Sequence, residues 1–407
     1  MNDAPGQPSP GRLHVQPLRQ AAHAPRPGYR TSSADETNLP RTATRNVTVC
    51  NVTTNKRSAS TEKVHNRPLP SCSTSTTTSE RRRTLPRTAI IAAALATAAG
   101  PGVTGCGDGD GATPTIELLE TYTLTADLLY PESGDYDPVT TSFYVSSISQ
   151  GRITRVTATG DQETFHEEAA TYGTVGLRID AAARMIWVCA NLGDGEHELW
   201  GVSLETGARE RRVALADAFD DATCNDVAPG PDGGVYVTDS NHANIYRYDP
   251  SQDTVAVWAT DPAFGAGGLG LNLNGLAFSA DGAWLLTANY QTTTLFRVSV
   301  ADPTDVTAVE LDGDLFRGTG PIVTGPDGMR MDGDVLVVAM IDRWATVTPA
   351  DDTWAAATVS RYTARDGTSA VALAEGQRYG IRSDIIGFVL ERTPALPFEI
   401  YRLDDGN

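Results

Sequence analysis

From about residue 117 onward, short runs of apolar residues spaced two apart alternate with clusters of Gly, Pro, Asn and Asp. The stretch "CNDVAPGPDGGVYVTDSNHANIYRYDP", Cys224 to Pro250, carries the pattern in full. "DVAPG", "VYVTDS" and "NIYRYDP" predict three strands, because apolar side chains in "GVYV" and "IYRY" keep the period of a pleated strand. "PDGG" predicts the turn between the first two, since Asp-Gly tolerates positive φ. Asn225 has no such structural reason. It opens a strand that the pattern expects to be buried.

The same unit recurs. "PESGDYDPVTTSFYVSSISQGRITRV", "TVGLRIDAAARMIWVCANLGDGEHELWGVSL", "LNGLAFSADGAWLLTANYQTTTLFRVSV" and "PDGMRMDGDVLVVAMIDRWATVTP" align with it, and a degenerate sixth copy starts at "TSAVALAEGQRYGIR". The first residues of the innermost strands are Glu132, Val175, Asn225, Asn274 and Asp327, at steps of 43, 50, 49 and 53 residues. A period of ~40–50 residues with four strands per unit is the signature of a propeller blade. The expected fold is an all-β, six-bladed β-propeller with four-stranded antiparallel blades, spanning residues 117–407. No extended helical periodicity competes. The best helical candidate, "GVSLETGARERRVALADAFDDA", fits a hairpin turning at "ETG". "TIELLETYTL", near the start of this region, is expected to complete the last blade and close the ring, which removes exposed sheet edges.

In such a fold the innermost strands line a central channel. Their first residues therefore converge near one mouth. Four of the five, Glu132, Asn225, Asn274 and Asp327, offer oxygen donors. Two carboxylates and two amides suit a hard cation, Ca²⁺ best of all. Zn²⁺ fits less well, because only Cys224, beside one of these positions, is a softer ligand. Asn-Gly and Asp-Gly also mark turns. In two repeats, however, a separate Asp-Gly follows seven residues on, at Asp232-Gly233 and Asp281-Gly282, and fits the hairpin. Asp226 either orients Asn225 or caps the strand end. Tyr236 and the tryptophans are expected to pack between blades. His166, His197 and His242 fall in expected loops.

Charge is unevenly spread. Residues 1–87 hold 14 Lys and Arg against 5 Asp and Glu; the rest hold 18 against 46. The acidic body excludes nucleic acid, whose affinity depends on basic contacts to phosphate, and disfavours an anionic lipid surface. No Lys follows Lys63, which excludes Schiff-base chemistry in the body.

Residues 1–79 are rich in Ser, Thr, Pro, Arg and Asn and lack apolar periodicity. They are expected to be disordered, or to lie upstream of the true start. Residues 80–105 resemble a signal peptide. Arg81, Arg82, Arg83 and Arg87 precede a short apolar run, and "VTGC" resembles a bacterial lipobox with Cys106 as the lipidated residue. Gly100, Pro101 and Gly102 cut the apolar run short of the ~20 residues a transmembrane helix needs. Residues 106–116 form a polar tether. The expected location is periplasmic or cell-surface, with the membrane reached through the lipid anchor only. In that oxidising setting Cys189 and Cys224, in or beside strands of successive repeats, either form a disulfide or remain two buried thiols.

"PES", "CND", "LNGL" and "GPDGM", in this order and at blade spacing, give the body its likeness to a known family. It resembles the gluconolactonase and senescence-marker-protein (regucalcin-like) propellers. The resemblance implies one divalent metal, usually Ca²⁺, held by Glu132, Asn274 and Asp327, with Asn225 close to metal or substrate. It implies hydrolysis of a lactone or related ester, with Asp327 as base as well as ligand. Ser133 stands where that family has Gly, and no His takes the inner end of the second blade. Arg317 is the best candidate for a substrate-binding arginine. The expectation is therefore a monomeric, exported, metal-dependent lactone or ester hydrolase. The alternative is a non-catalytic propeller lipoprotein binding a protein or glycan.

Overall fold

The computed structural model describes residues 116–125, 129–168, 171–192, 195–265, 272–315 and 325–404. The expected N-terminal extension, the signal peptide with Cys106, the tether up to residue 115, and Arg317 lie outside the described residues.

The described chain is all-β in character. Strand β1 (Thr121–Thr123) precedes a first sheet of β2 (Gly134–Asp137), β3 (Ser142–Val145), β4 (Arg152–Thr157) and β5 (Gln162–Glu167). A second sheet is β6 (Thr171–Asp180), β7 (Met185–Leu192), β8 (His197–Ser203) and β9 (Arg209–Ala214). The third is β10 (Val227–Pro229), β11 (Val235–Thr238), β12 (Asn244–Asp249) and β13 (Thr254–Thr260). The fourth is β14 (Leu273–Phe278), β15 (Trp284–Asn289), β16 (Leu295–Ser299) and β17 (Val306–Ala308). Each is four-stranded, antiparallel and ordered as in sequence, consistent with a propeller. The expected hairpins hold: Gly233 and Gly282, of the two Asp-Gly pairs, take φ of 76° and 71°.

The remaining strands are β18 (Glu310–Asp312), β19 (Met329–Asp332), β20 (Val335–Ala339), β21 (Ile341–Pro349), β22 (Ala356–Ala374), β23 (Gln377–Arg382) and β24 (Glu399–Arg402). They join β1 in one eight-stranded sheet. Its 19-residue β22 changes partner along its length. The first part pairs with β21 and, from Thr368 on, the strand pairs with β23. Gly367 marks the corner, with φ of 95°, and a Cβ there would sit 1.8 Å from Ser383 O, so only glycine fits. A short helix, α1 (Ile385–Val389), interrupts the path from β23 to β24. The N-terminal β1 pairs antiparallel with the C-terminal β24, Tyr122 opposite Ile400. The chain ends are thus tied as expected, though by three residues and not the whole of "TIELLETYTL".

Burial falls from the inner strands outward. All four residues of β11 are buried, whereas β13 is mostly exposed. This follows from packing sheet against sheet, and each junction has its own apolar cluster. Trp187 meets Tyr248 between the second and third sheets (5.6 Å), and Tyr236 meets Phe278 between the third and fourth (5.0 Å). Such pairs contribute about 0.5–1.5 kcal/mol beyond area burial. Cys189 on β7 and Cys224 just before β10 form a disulfide across the second junction, with Cα atoms 5.3 Å apart. The innermost strands touch in sequence, β2 to β6, β10, β14, β19, β22 and back to β2.

Candidate functional site

Glu132, Val175, Asn225, Asn274 and Asp327 all line one cavity of about 290 Å³. The ladders explain why these positions face inward together. Glu132, Asn225 and Asp327 each lie two residues before their strand begins. Val175 and Asn274 lie inside strands, but at places where the register shifts. At all five positions the inner strand is free of regular pairing, so its side chain can turn to the axis.

The backbone there is nonetheless pinned. Asn225 N donates to Thr238 O (3.1 Å), and Thr238 Oγ1 donates to Asn274 O (2.7 Å). Asp327 N donates to Ala339 O (2.9 Å). Gly275 is required by close approach and not by a turn: a Cβ there would lie 2.3 Å from Asp327 O. Ser133, standing where the resemblance expects Gly, donates its hydroxyl to Leu177 O of the next sheet (3.3 Å).

Three buried oxygens of this set have no hydrogen-bond partner: Glu132 Oε2, Asn225 Oδ1 and Asn274 Oδ1. The Asn274 side chain hydrogen-bonds Asp327, so its amide N–H donates to the carboxylate and its oxygen is left over. Burial pushes the Glu132 carboxyl well above the usual carboxylate range, and repulsion from Asp327 and Asp226 adds to it. Burial likewise raises Asp327, with repulsion from Asp226 second. Partnerless acceptors and crowded carboxylates around one axis form the donor set a hard cation neutralises. Among the described residues no group of three or more His, Cys, Asp or Glu is placed for a metal. The set here reaches four donors only by counting the two amides, a composition that fits Ca²⁺ and not Zn²⁺.

Below this ring lies a second layer that the sequence reading missed. Arg178 and Arg330 are both buried. The Arg178 guanidinium donates to Leu276 O (3.3 Å), to Met329 O and to Asp226 Oδ2 (3.4 Å). Arg330 donates to Gly134 O (2.8 Å) and Leu177 O (3.1 Å), with Asp135 Oδ1 at 3.7 Å. Two guanidinium forks therefore bind carbonyls from four different inner strands. One signal was available: Asp135, Arg178 and Arg330 each stand three residues after a ring position. Asp226 is thus the partner of Arg178. Its other oxygen accepts from Val227 N (2.9 Å), so it also caps the start of β10.

The rest of the lining is mostly apolar. Ile148, Ile341 and the α1 segment residues Ile385, Ile386, Val389 and Leu390 line the same cavity, with Tyr290 and Ser240. Asp384 caps α1, accepting from Gly387 N (2.9 Å), and its other oxygen accepts from Ala395 N (2.8 Å).

The histidines correct an expectation. His166 is on β5 and His197 opens β8; only His242 is in a loop, where it hydrogen-bonds Asp239 (3.1 Å). None of the three lines the cavity. Tyr236 packs edge-on against Trp258 and Phe278, as expected for a residue between blades.

An all-β body of this kind, with an oxygen-donor ring on its inner strands, defines a class of propeller-like proteins. Residues 130–370 match the family model described as SMP-30/Gluconolactonase/LRE-like region, and the chain belongs to that family. A search of curated proteins gives no match. Among solved structures, the major allergen Mala s 1 of Malassezia sympodialis is 17% identical with a TM-score of 0.59, covering 71% of this chain and 97% of its own. A putative gluconolactonase is 19% identical, with a TM-score of 0.47 and coverages of 70% and 94%. A calcium-binding regucalcin from Agrobacterium tumefaciens is 16% identical, with a TM-score of 0.48 and coverages of 68% and 92%.

Proposed function

We propose that the protein is a metal-dependent hydrolase that opens a lactone or related ester at the channel mouth of a six-bladed propeller. The closed circuit of contacts among β2, β6, β10, β14, β19 and β22 supports six blades. The observation that carries the functional reading is the convergence of Glu132 Oε2, Asn225 Oδ1 and Asn274 Oδ1, all without partners, beside Asp327 in one cavity.

Glu132, Asn225, Asn274 and Asp327 would hold one divalent cation, Ca²⁺ by the chemistry of the donors. When bound, such an ion polarises a carbonyl oxygen and acidifies water. Asp327 takes a proton from the water that attacks the ester carbonyl and returns it to the leaving oxygen as the acyl C–O bond breaks. Its backbone, tied to Ala339, fixes the carboxylate against the Asn274 amide. The apolar wall excludes bulk water and strengthens every electrostatic contact inside.

The basic, then apolar, N-terminal run ending at Cys106 supports export with a lipid anchor. The disulfide between Cys189 and Cys224 favours an oxidising compartment.

The first test is a thermal melt of the full chain with excess Ca²⁺ and then with chelator. An ion bound only to the native state adds about 2.7 kcal/mol at a hundredfold excess over its Kd. A rise that Asn274→Ala and Asp327→Ala both abolish, together with turnover of a lactone panel, supports the reading. A melt indifferent to every divalent ion removes it and leaves a binding module.

A further inference from the structure

We propose that the cavity takes a lactone or ester carrying an alkyl chain, and not a polyhydroxylated sugar lactone. The inference rests on the hydrolase reading for the reacting group, and on the cavity walls for the rest of the substrate.

The polar liners are few and the apolar ones many. The oxygen donors Glu132, Asn225, Asn274 and Asp327 gather on the inner-strand side. The rest of the described lining is aliphatic at Ile148, Val175, Ile341, Ile385, Ile386, Val389 and Leu390, and aromatic at Tyr290. Ser240, a polar liner apart from the ring, already donates its hydroxyl to Leu273 O (2.8 Å). A sugar lactone carries a hydroxyl on most ring carbons. Against largely aliphatic walls most of those hydroxyls lose water and gain no partner, a cost of about fivefold or more in affinity for each one. An alkyl chain gains on the same surface, by about fourfold per methylene.

Two further observations point the same way. Val389 and Leu390 are 58% and 52% exposed, although both belong to the cavity lining. They are aliphatic surface that a bound chain would cover. Ile341 holds φ at 61°, a left-handed conformation that disfavours β-branched residues and suits Gly or Asn. A branched aliphatic side chain is kept in the wall against the preference of its own backbone, and such strain gathers at ligand sites. At about 290 Å³ the cavity lies at the small end of ligand clefts, so the gain with chain length must saturate within a few methylenes.

The test uses the full chain with Ca²⁺. Initial rates are measured on γ-lactones bearing alkyl groups from methyl to heptyl, and on glucono-δ-lactone. Binding of the matching 5-alkyl-2-pyrrolidinones, lactams that resist hydrolysis, is followed by calorimetry. The expected result is a rise of about fourfold per methylene in kcat/KM and in lactam affinity, followed by a plateau. Glucono-δ-lactone should lie at least tenfold below the best alkyl lactone. Ile386→Ser and Val389→Ser should flatten both series. A sugar lactone preferred over every alkyl lactone, or lactam affinities independent of chain length, would overturn the proposal. If no lactone is turned over, the hydrolase reading fails separately. The lactam series then still decides the pocket, upheld by a rise and overturned by a flat line.

Discussion

The Arg178 guanidinium lies 3.4 Å from the Asp226 carboxylate, and the two side chains are only 7% and 4% exposed. They come from β6 and from the residue just before β10, so the pair spans neighbouring sheets beneath the oxygen-donor ring. Taking both charges from water is costly, and the pair is held by what surrounds it: Arg178 also donates to Leu276 O and Met329 O. Arg178→Met should therefore destabilise the protein by about 3–5 kcal/mol in urea, because it strands Asp226. Adding Asp226→Leu should recover only part of that. Met329 O keeps Arg330 as a donor (3.1 Å), but Leu276 O loses its guanidinium, at about 1–3 kcal/mol for a buried group left unsatisfied. Full recovery in the double variant would mean that the carbonyl contacts contribute nothing.

The Cys189–Cys224 disulfide closes a loop with a sequence separation of 35 residues. Loop-closure entropy for that length corresponds to about 3–4 kcal/mol. Denaturation with and without reductant should differ by that amount. The variant carrying both Cys189→Ala and Cys224→Ala should show no reductant effect.

Asp137 and Arg184 form a two-pronged ion pair, at 2.7 and 2.9 Å, with Asp137 wholly buried. Burial alone pushes this carboxyl up, but hydrogen bonds from Arg184, Thr140 and Val139 together outweigh it and bring it down to about 2. A depressed carboxylate contributes stability that is complete above its unfolded value near 4, and lost as pH falls toward 2. The difference in unfolding free energy between the native chain and Arg184→Gln should be constant above about pH 5. It should shrink between pH 4 and pH 2, by less than the roughly 2 kcal/mol that the whole depression represents, because Thr140 and Val139 still hold the carboxylate. A difference independent of pH would remove Arg184 as the cause.

Turns and ring positions were legible in the sequence because they depend on residue type at one place. Asp232-Gly233 and Asp281-Gly282 need positive φ, and the blade spacing carried Glu132, Asn225, Asn274 and Asp327 into one cavity. What escaped depends on partners far along the chain. Arg178 and Arg330 look like any charged residue on a half-exposed strand until their carbonyl partners, up to 196 residues away, are known. The partner exchange along β22 leaves no mark except Gly367. His166 and His197 sit in polar runs that suggest loops, yet strands with one solvated face tolerate such runs. Helix α1 has five residues, too few to show a period, and only Asp384 before "IIGF" announces it.

That small helix offers the most direct link between local stability and function. Its Asp384 carboxylate holds both ends of the segment, Gly387 N through one oxygen and Ala395 N through the other. Besides this cap, α1 is anchored by Phe388, whose ring packs on Tyr130 (5.2 Å), and so short a helix is marginal in water without such supports. Asp384→Ala should cost about 1 kcal/mol, the usual loss for a cap, and should leave the global melt almost unchanged. Amide exchange, however, should accelerate across residues 385–395 and nowhere near the oxygen-donor ring. Since Ile385, Ile386 and Val389 form the apolar wall, loosening them should raise KM for a long-chain lactone more than for a short one, with the Ca²⁺ response intact. Equal effects on both chain lengths would place α1 outside the binding surface. A lost Ca²⁺ response would mean that the helix and the ring are coupled, and that the cap supports the metal site as well as the wall.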